Sequence, residues 1–258
     1  MDNQEIIKPN KETVLYRYMD KWKYDYLINN GLVFTNAMNQ EDEYDCYNHE
    51  KSSGYAKVWN AWREYMLISC WTMDDFSNMN IEEKISKLKQ YCKFEDTEGV
   101  ESNLAYVTKT NINKLDELIS IKCDNLGNFT AMPSLTHYAI LKNKVEYIDT
   151  SSDKENKLIL PDNYPFYKDI CYKGENEYRL FIYRAGVFIY DKDLKNYILD
   201  SDYKPTIEVM QGNPADFLTD VFEYNKRTNE FKKIGIPIIH TPTKKRLGSF
   251  KPSTFSIY

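Results

Sequence analysis

The sequence lacks the short motifs by which many nucleotide-binding and metal-binding proteins are recognised. It contains neither a GxGxxG nor a GxxxxGK[ST] phosphate loop, which argues against Rossmann and P-loop chemistry. Its five cysteines include no CxxC pair and its three histidines have no ligand spacing, so neither a disulfide framework nor a zinc site is indicated. No apolar run approaches the roughly 18 residues of a membrane span, and the polar start resembles no signal peptide. We therefore expect a cytoplasmic protein with no membrane partner.

An excess of positive charge is also absent, because 39 acidic residues outnumber 34 basic ones and the formal net charge is −5. A nucleic-acid partner would need a local basic patch, and the candidate is Lys244, Lys245 and Arg246. A solvated tail explains these three charges equally well.

Apolar and aromatic residues are plentiful, with a hydrophobic fraction of 42% and 22 tyrosines. The residue patterns predict strands and helices that do not alternate as a βαβ series. We therefore expect an α+β fold with a mixed, mostly antiparallel central sheet and flanking helices. The expected organisation is a polar lead over residues 1–12 and a single α+β domain over residues 13–258.

Hydrophobic periodicity and capping residues predict about eight strands and five helices. Strands are expected near residues 13–19, 32–36, 66–73, 104–110, 143–150, 205–212 and 235–241, with a long strand or a hairpin at 172–190. Helices are expected near residues 21–31, 55–66, 81–92, 111–120 and 213–227. The last of these has the clearest start, with Asn213 as the N-cap and Pro214 in the first turn.

One segment carries the most specific polar pattern, YKGENEYRLFIYRAGVFIY at residues 172–190. If it is a strand throughout, Glu175, Glu177 and Arg179 point to the same side, because side chains alternate between the two faces. These residues are either a catalytic carboxylate with its partners or an ion-paired strand.

The order of several such blocks resembles the bacterial proteins grouped as domain-of-unknown-function family 2971. The blocks include LYRYM, the acidic EDEYDC, SCWT, LAYVTKT, KVEYID, and the series Lys168, Tyr172, Glu175, Glu177, Tyr178 and Arg179. The resemblance covers nearly the whole chain, although Leu88 and Tyr172 stand where the family has tryptophan. It implies a shared fold and brings no established activity.

A strand Glu-x-Glu is also used by ADP-ribosyltransferases, where a carboxylate stabilises the oxocarbenium-like state as nicotinamide leaves. By analogy of motif order, the chain is an NAD-using transferase-like enzyme that acts as a toxin or defence effector. Glu177 would be the catalytic carboxylate and Glu175 would orient the acceptor. The expected NAD-binding residues are Arg17, Tyr18, Ser69, Trp71, Thr72 and Arg179. This hypothesis requires Arg17 and Glu177 to face each other across a cleft.

Three other interpretations remain open. Glu177 and Arg179 form a structural ion pair with each other, or pair with Arg17 and Asp45. Alternatively, Asp42 and Asp45 of the acidic loop join Glu175 and Glu177 to hold Mg²⁺ in a nuclease. Finally, the chain is a binding module that catalyses nothing.

Overall fold

The computed structural model describes residues 9–39, 63, 66–95, 100–122, 138–149, 165–184, 188–191, 196–199, 207–210 and 212–238. Its α-helices are α1 (Lys21–Asn30), α2 (Ile81–Tyr91), α3 (Ile112–Lys122) and α4 (Pro214–Phe217). Short 3₁₀ helices span Ala37–Asn39 and Ile170–Glu175. The first seven strands are β1 (Val14–Asp20), β2 (Leu32–Asn36), β3 (Met66–Thr72), β4 (Leu104–Asn111), β5 (Tyr138–Lys144), β6 (Glu146–Ile148) and β7 (Tyr167–Asp169). The others are β8 (Glu177–Arg184), β9 (Phe188–Asp191), β10 (Asn196–Leu199), β11 (Ile207–Met210), β12 (Asp220–Asn225) and β13 (Glu230–Ile234).

A nine-stranded sheet organises the described part of the chain. Seven strands follow the order β11-β2-β3-β1-β4-β12-β13, while β8 pairs with β3 and with β5. All pairs in this sheet are antiparallel, and the small β6–β7 sheet is parallel. The predicted α+β class with a mostly antiparallel central sheet and flanking helices is confirmed.

Helices cover both faces of the central sheet. Helices α1, α3 and α4 contribute Leu27, Leu115 and Phe217 to the larger apolar cluster on one face. Helix α2 contributes Leu88 to a second cluster on the opposite face. The inner strands are therefore buried on both sides, which explains why β3 is a nearly continuous apolar run.

Local signals fixed the ends of the first two helices as expected. At the end of α1, the N–H of Gly31 donates to Leu27, and Gly31 adopts a φ of 111°, a region that favours glycine. At the start of α2, the side chain of Asn80 accepts from the N–H of Glu83, whose carboxylate accepts from the N–H of Asn80. This reciprocal pair is a capping box.

Four predictions about elements are wrong. Helix α4 ends at Phe217 and strand β12 follows, because Leu218 is already extended and Thr219 donates its N–H to Lys109 of β4. The strand expected at residues 235–241 is absent from its described part, residues 235–238, and β13 is the last of the described strands. The strand expected at residues 143–150 is divided at Val145 into β5 and β6.

The fourth error concerns residues 172–190, where residues 172–175 belong to a 3₁₀ helix and β8 begins only at Glu177. Strand β9 pairs with β10, so β8 and β9 form no hairpin. The acidic loop lies outside the described residues, as does the helix expected at 55–66 except for Arg63 and Met66, and Met66 begins β3.

Candidate functional site

Strand β3 changes its neighbour part-way along one edge. Along its other edge, every residue from Met66 to Thr72 pairs with β8. On the changing edge, residues 67–68 pair with β2, whereas Thr72 pairs with Tyr16 of β1. Among the described strands, none pairs with residues 69–71 on that edge. Strands β1 and β2 therefore diverge there, and we call this opening the β1–β3 fork.

The register places the predicted site residues on opposite faces of the sheet. Arg17 follows Tyr16 and Trp71 precedes Thr72, so Arg17 and Trp71 share one face, whereas Glu177 pairs with Thr72 and shares the other. The Arg17 face carries Arg17, Ser69, Trp71 and Thr108. The Glu177 face carries Tyr18, Thr72, Glu177 and Arg179. The expectation that Arg17 and Glu177 face each other across a cleft is therefore wrong.

Glu177 and Arg179 form a buried, two-pronged ion pair. Arg179 donates from Nε to one carboxylate oxygen of Glu177 at 2.8 Å and from Nη2 to the other at 2.9 Å. Its Nη1 donates to the carbonyl of Pro165 at 2.6 Å. Glu177 is 4% exposed and Arg179 is 0% exposed. The predicted pairing of these two residues is confirmed, and its geometry is that of a structural clamp.

Glu175 reaches the same region from outside the sheet. It is the last residue of the 3₁₀ helix, and Asn176 then turns the chain into β8 with a left-handed φ of 46°. The ammonium of Lys168 lies 2.7 Å from the carboxylate of Glu175 and 3.8 Å from that of Glu177. Thr72 donates its hydroxyl to the backbone carbonyl of Glu175 at 2.8 Å. The strand alternation assumed for Glu175 was therefore wrong, and Lys168 brings the carboxylates of Glu175 and Glu177 together.

Two stacked tyrosines lie on the Glu177 face. The rings of Tyr18 and Tyr91 are 5.2 Å apart and nearly parallel, and neither buried hydroxyl has a hydrogen-bond partner among the described residues. Burial, and then the charge of Asp74, raise the pKa of Tyr18. Burial, and then the charge of Glu175, raise the pKa of Tyr91. Both rings therefore remain neutral at physiological pH, and Tyr18 is already stacked on Tyr91.

Arg17 occupies the β1–β3 fork on the opposite face. Its Nη1 donates to the carbonyl of Val33 at 3.3 Å and to the hydroxyl of Ser69 at 3.2 Å. The guanidinium carbon lies 5.8 Å from the centre of the Trp71 ring. Within the described part of the chain, Nε and Nη2 of Arg17 have no hydrogen-bond partner. The side chain is partly exposed, so these donors lie at an opening of the fold.

The charge of Arg17 has no acidic counterpart in the described residues. Burial lowers the pKa of Arg17, and among the described residues the opposing charge effect comes from Cys70 alone. Because burial disfavours the charged form, the lowered pKa means that the guanidinium has lost water without gaining a carboxylate. This differs from Arg179, whose charge is neutralised by Glu177.

Two neighbours of Arg17 carry buried polar atoms without partners. Thr108 of β4 lies directly opposite Arg17 in the ladder, and Trp71 of β3 lies on the other side. Neither the indole N–H of Trp71 nor the hydroxyl of Thr108 has a hydrogen-bond partner in the described segments. Sequence reasoning selected Trp71 but missed Thr108, because its position beside Arg17 depends on the register between β1 and β4.

Five predicted residues lie outside the described part of the chain. They are Asp42, Asp45, Lys244, Lys245 and Arg246. Within the described ranges, no group of three or more His, Cys, Asp or Glu side chains could hold a metal ion. No helix of the described segments is both long enough and apolar enough to cross a membrane.

Comparisons with family models, with curated proteins and with solved structures find no match to this chain. The resemblance to the family of unknown function therefore stays a prediction. Any functional argument depends on the geometry of the two faces.

Proposed function

We propose that the chain binds a small anionic ligand at the β1–β3 fork, with Arg17 as the anchor. The observation that carries this proposal is the guanidinium itself, which is desolvated and has no acidic partner among the described residues. An uncompensated charge in a protein interior costs several kcal/mol, and an anion that reaches it recovers part of that free energy.

The neighbouring donors support the same conclusion. Ser69 already helps to hold the guanidinium, while Trp71 and Thr108 contribute an N–H and an O–H without partners in the described chain. Buried polar groups are almost always paired, so two such donors on either side of a lone cation point to a missing acceptor.

NAD remains one predicted ligand, because its pyrophosphate is anionic and the order of motifs suggests it. Glu177 does not support the transferase step, since both of its oxygens already accept from Arg179 and its side chain lies on the other face. We therefore propose ligand binding and assign no reaction. Roles as an NAD-using transferase, a toxin or a defence effector stay predictions.

Thermal unfolding in the presence of anions tests the proposal. The ligand set is NAD, inorganic phosphate, benzoate and hexanoate, each added to the wild type and to Arg17→Gln. A ligand that binds only the folded state stabilises it by about 2.7 kcal/mol at 100 times its Kd. We expect at least one anion to raise the melting temperature of the wild type and to leave that of Arg17→Gln unchanged.

Arg227→Gln is the matched control, because it removes one positive charge at an exposed position of the β12–β13 turn. It should respond to the anion as the wild type does. Arg17 is not an anion anchor if no anion raises the melting temperature of the wild type. The same conclusion follows if an anion raises the melting temperature of Arg17→Gln as much as that of Arg227→Gln.

A further inference from the structure

Arg17 and Arg179 of the central sheet use a similar hydrogen-bonding pattern, but only Arg179 is paired with a carboxylate among the described residues. In Arg179, Nη1 donates to a backbone carbonyl, and the edge formed by Nε and Nη2 grips the carboxylate of Glu177. In Arg17, Nη1 likewise donates to a backbone carbonyl, that of Val33, while Nε and Nη2 have no partner in the described chain. The edge of Arg17 that corresponds to the carboxylate-binding edge of Arg179 therefore meets no acceptor in the part of the chain that the structure describes.

The bonds on Nη1 also restrain the guanidinium. Val33 on β2 and Ser69 on β3 hold Nη1 from two strands, so the planar group has little freedom to rotate. A guanidinium whose plane is fixed presents two parallel N–H groups, and that geometry matches the two oxygens of a carboxylate. The arrangement selects the shape of an anion as well as its charge.

Charge balance at the fork further restricts the ligand. Among the described residues, no lysine or second arginine contributes to the electrostatic surroundings of Arg17, and the same face buries Leu15, Met19 and Val221 in its apolar cluster. One cation in an apolar surrounding balances one negative charge. A pyrophosphate carries two adjacent charges, so half of its charge would remain unpaired there.

We infer that the ligand of the β1–β3 fork is an organic acid with one carboxylate, bound edge-on by Nε and Nη2 of Arg17. This inference rests on the proposed anion-binding function and names its ligand class. The carboxylate takes the place at Arg17 that Glu177 takes at Arg179.

Calorimetric titration with matched ligand pairs tests the inference on the full chain. Benzoate and hexanoate are compared with benzamide and hexanamide, which keep the shape of each acid and remove its charge. We expect binding of at least one acid and none of its amide. NAD and inorganic phosphate are titrated in parallel.

Two substitutions separate recognition of shape from recognition of charge. Arg17→Gln removes the charge, and Arg17→Lys keeps the charge but loses the two-pronged edge. Because hydrogen bonds to charged groups contribute about 1.5–3 kcal/mol, Arg17→Gln should weaken binding of the acid roughly 10- to 100-fold. Arg17→Lys should also weaken it, by about 10-fold, because lysine cannot form the paired bonds.

The possible results are distinguishable. If NAD or phosphate binds in an Arg17-dependent manner and neither acid does, the carboxylate inference is overturned while the anion site stands. Equal affinity of the acid for wild type and Arg17→Lys would also overturn the edge-on geometry. If no anion of either class binds, the proposed function itself fails.

Discussion

Two arginines of the central sheet, Arg17 and Arg179, differ in how their positive charge is compensated. Arg179 is sealed from water and neutralised by Glu177, whereas Arg17 is partly exposed and has no carboxylate among the described residues. Alternation along a strand correctly placed Glu177 beside Arg179, because both residues lie on β8. It could not place Arg17 relative to Glu177, since their relation depends on which residue of β1 meets which residue of β3.

The clamp at Glu177 gives a prediction about stability. Replacing it (Glu177→Gln) should lower the free energy of unfolding by about 3 kcal/mol, because a buried guanidinium is left without its carboxylate. Urea denaturation of the wild type and the variant measures this difference. An unchanged unfolding free energy would show that the protein does not need Glu177 for its stability. A catalytic role of Glu177 would then be a hypothesis to test again.

The matched control is Glu101→Gln, which breaks the exposed pair between Glu101 and Lys226. Exposed ion pairs contribute little, so this variant should unfold at the same urea concentration as the wild type.

At the scale of elements, tertiary pairing overrode local signals in two places. Asn213 and Pro214 start α4 as the sequence predicted, but residues 220–225 form a ladder with β4 and β13 that ends the helix after one turn. The Glu-x-Glu pattern suggested a strand, yet the hydroxyl of Thr72 and the ammonium of Lys168 hold Glu175 in a 3₁₀ helix. Both outcomes depend on partners far away in the chain, which a local pattern cannot reveal.

Where a signal is wholly local, the sequence sufficed, and α2 is the example. Its capping box involves only Asn80 and Glu83, and both hydrogen bonds are formed at 2.9 Å. Replacing the cap (Asn80→Ala) should destabilise the protein by about 1 kcal/mol, because the N–H of Glu83 loses its side-chain acceptor. Chemical denaturation measures the difference.

Asn78→Ala serves as the comparison for the capping box. Its side chain bonds only to Asp75 in an exposed turn, so the variant should stay close to the wild type. A loss of stability as large as that of Asn80→Ala would mean that the turn before α2, and not its cap, determines the stability of this region.

At the scale of the whole molecule, buried tyrosines link the fold to alkaline pH. Burial is the first cause that raises the pKa of Tyr24 to about 12 and that of Tyr147 to about 12. The pKa of Tyr178 is raised further, first by burial and then by the charge of Asp116. Each folded-state pKa lies above the value of about 10 for an unfolded tyrosine.

The sign of this linkage fixes the direction of the pH dependence. Groups that hold their protons more tightly in the folded state stabilise it fully below pH 10 and progressively less above it. We therefore expect the unfolding free energy to be insensitive to these tyrosines up to about pH 10. Above that pH it should fall by about 1.4 kcal/mol per pH unit for each tyrosine that remains protonated only in the folded state.

Denaturation at several pH values, combined with absorbance at 295 nm, checks this expectation. Tyr178→Phe removes one titrating group and should make the alkaline decline shallower. A decline of the same steepness in that variant would assign the pH dependence to groups other than this tyrosine.

The position of β3 in the sheet has a consequence for how the chain is made. The hydrogen bond between Thr72 and Glu175 joins residues 103 positions apart. Along one edge, every residue of β3 pairs with a residue of β8 that lies about as far away in the sequence. During synthesis, that edge of an apolar strand stays unpaired until β8 has left the ribosome, and an unpaired edge is a template for pairing with other chains. Pairings between distant segments also slow folding. We expect a chain cut short before residue 177 to aggregate, because its central strand then has no neighbour on that edge.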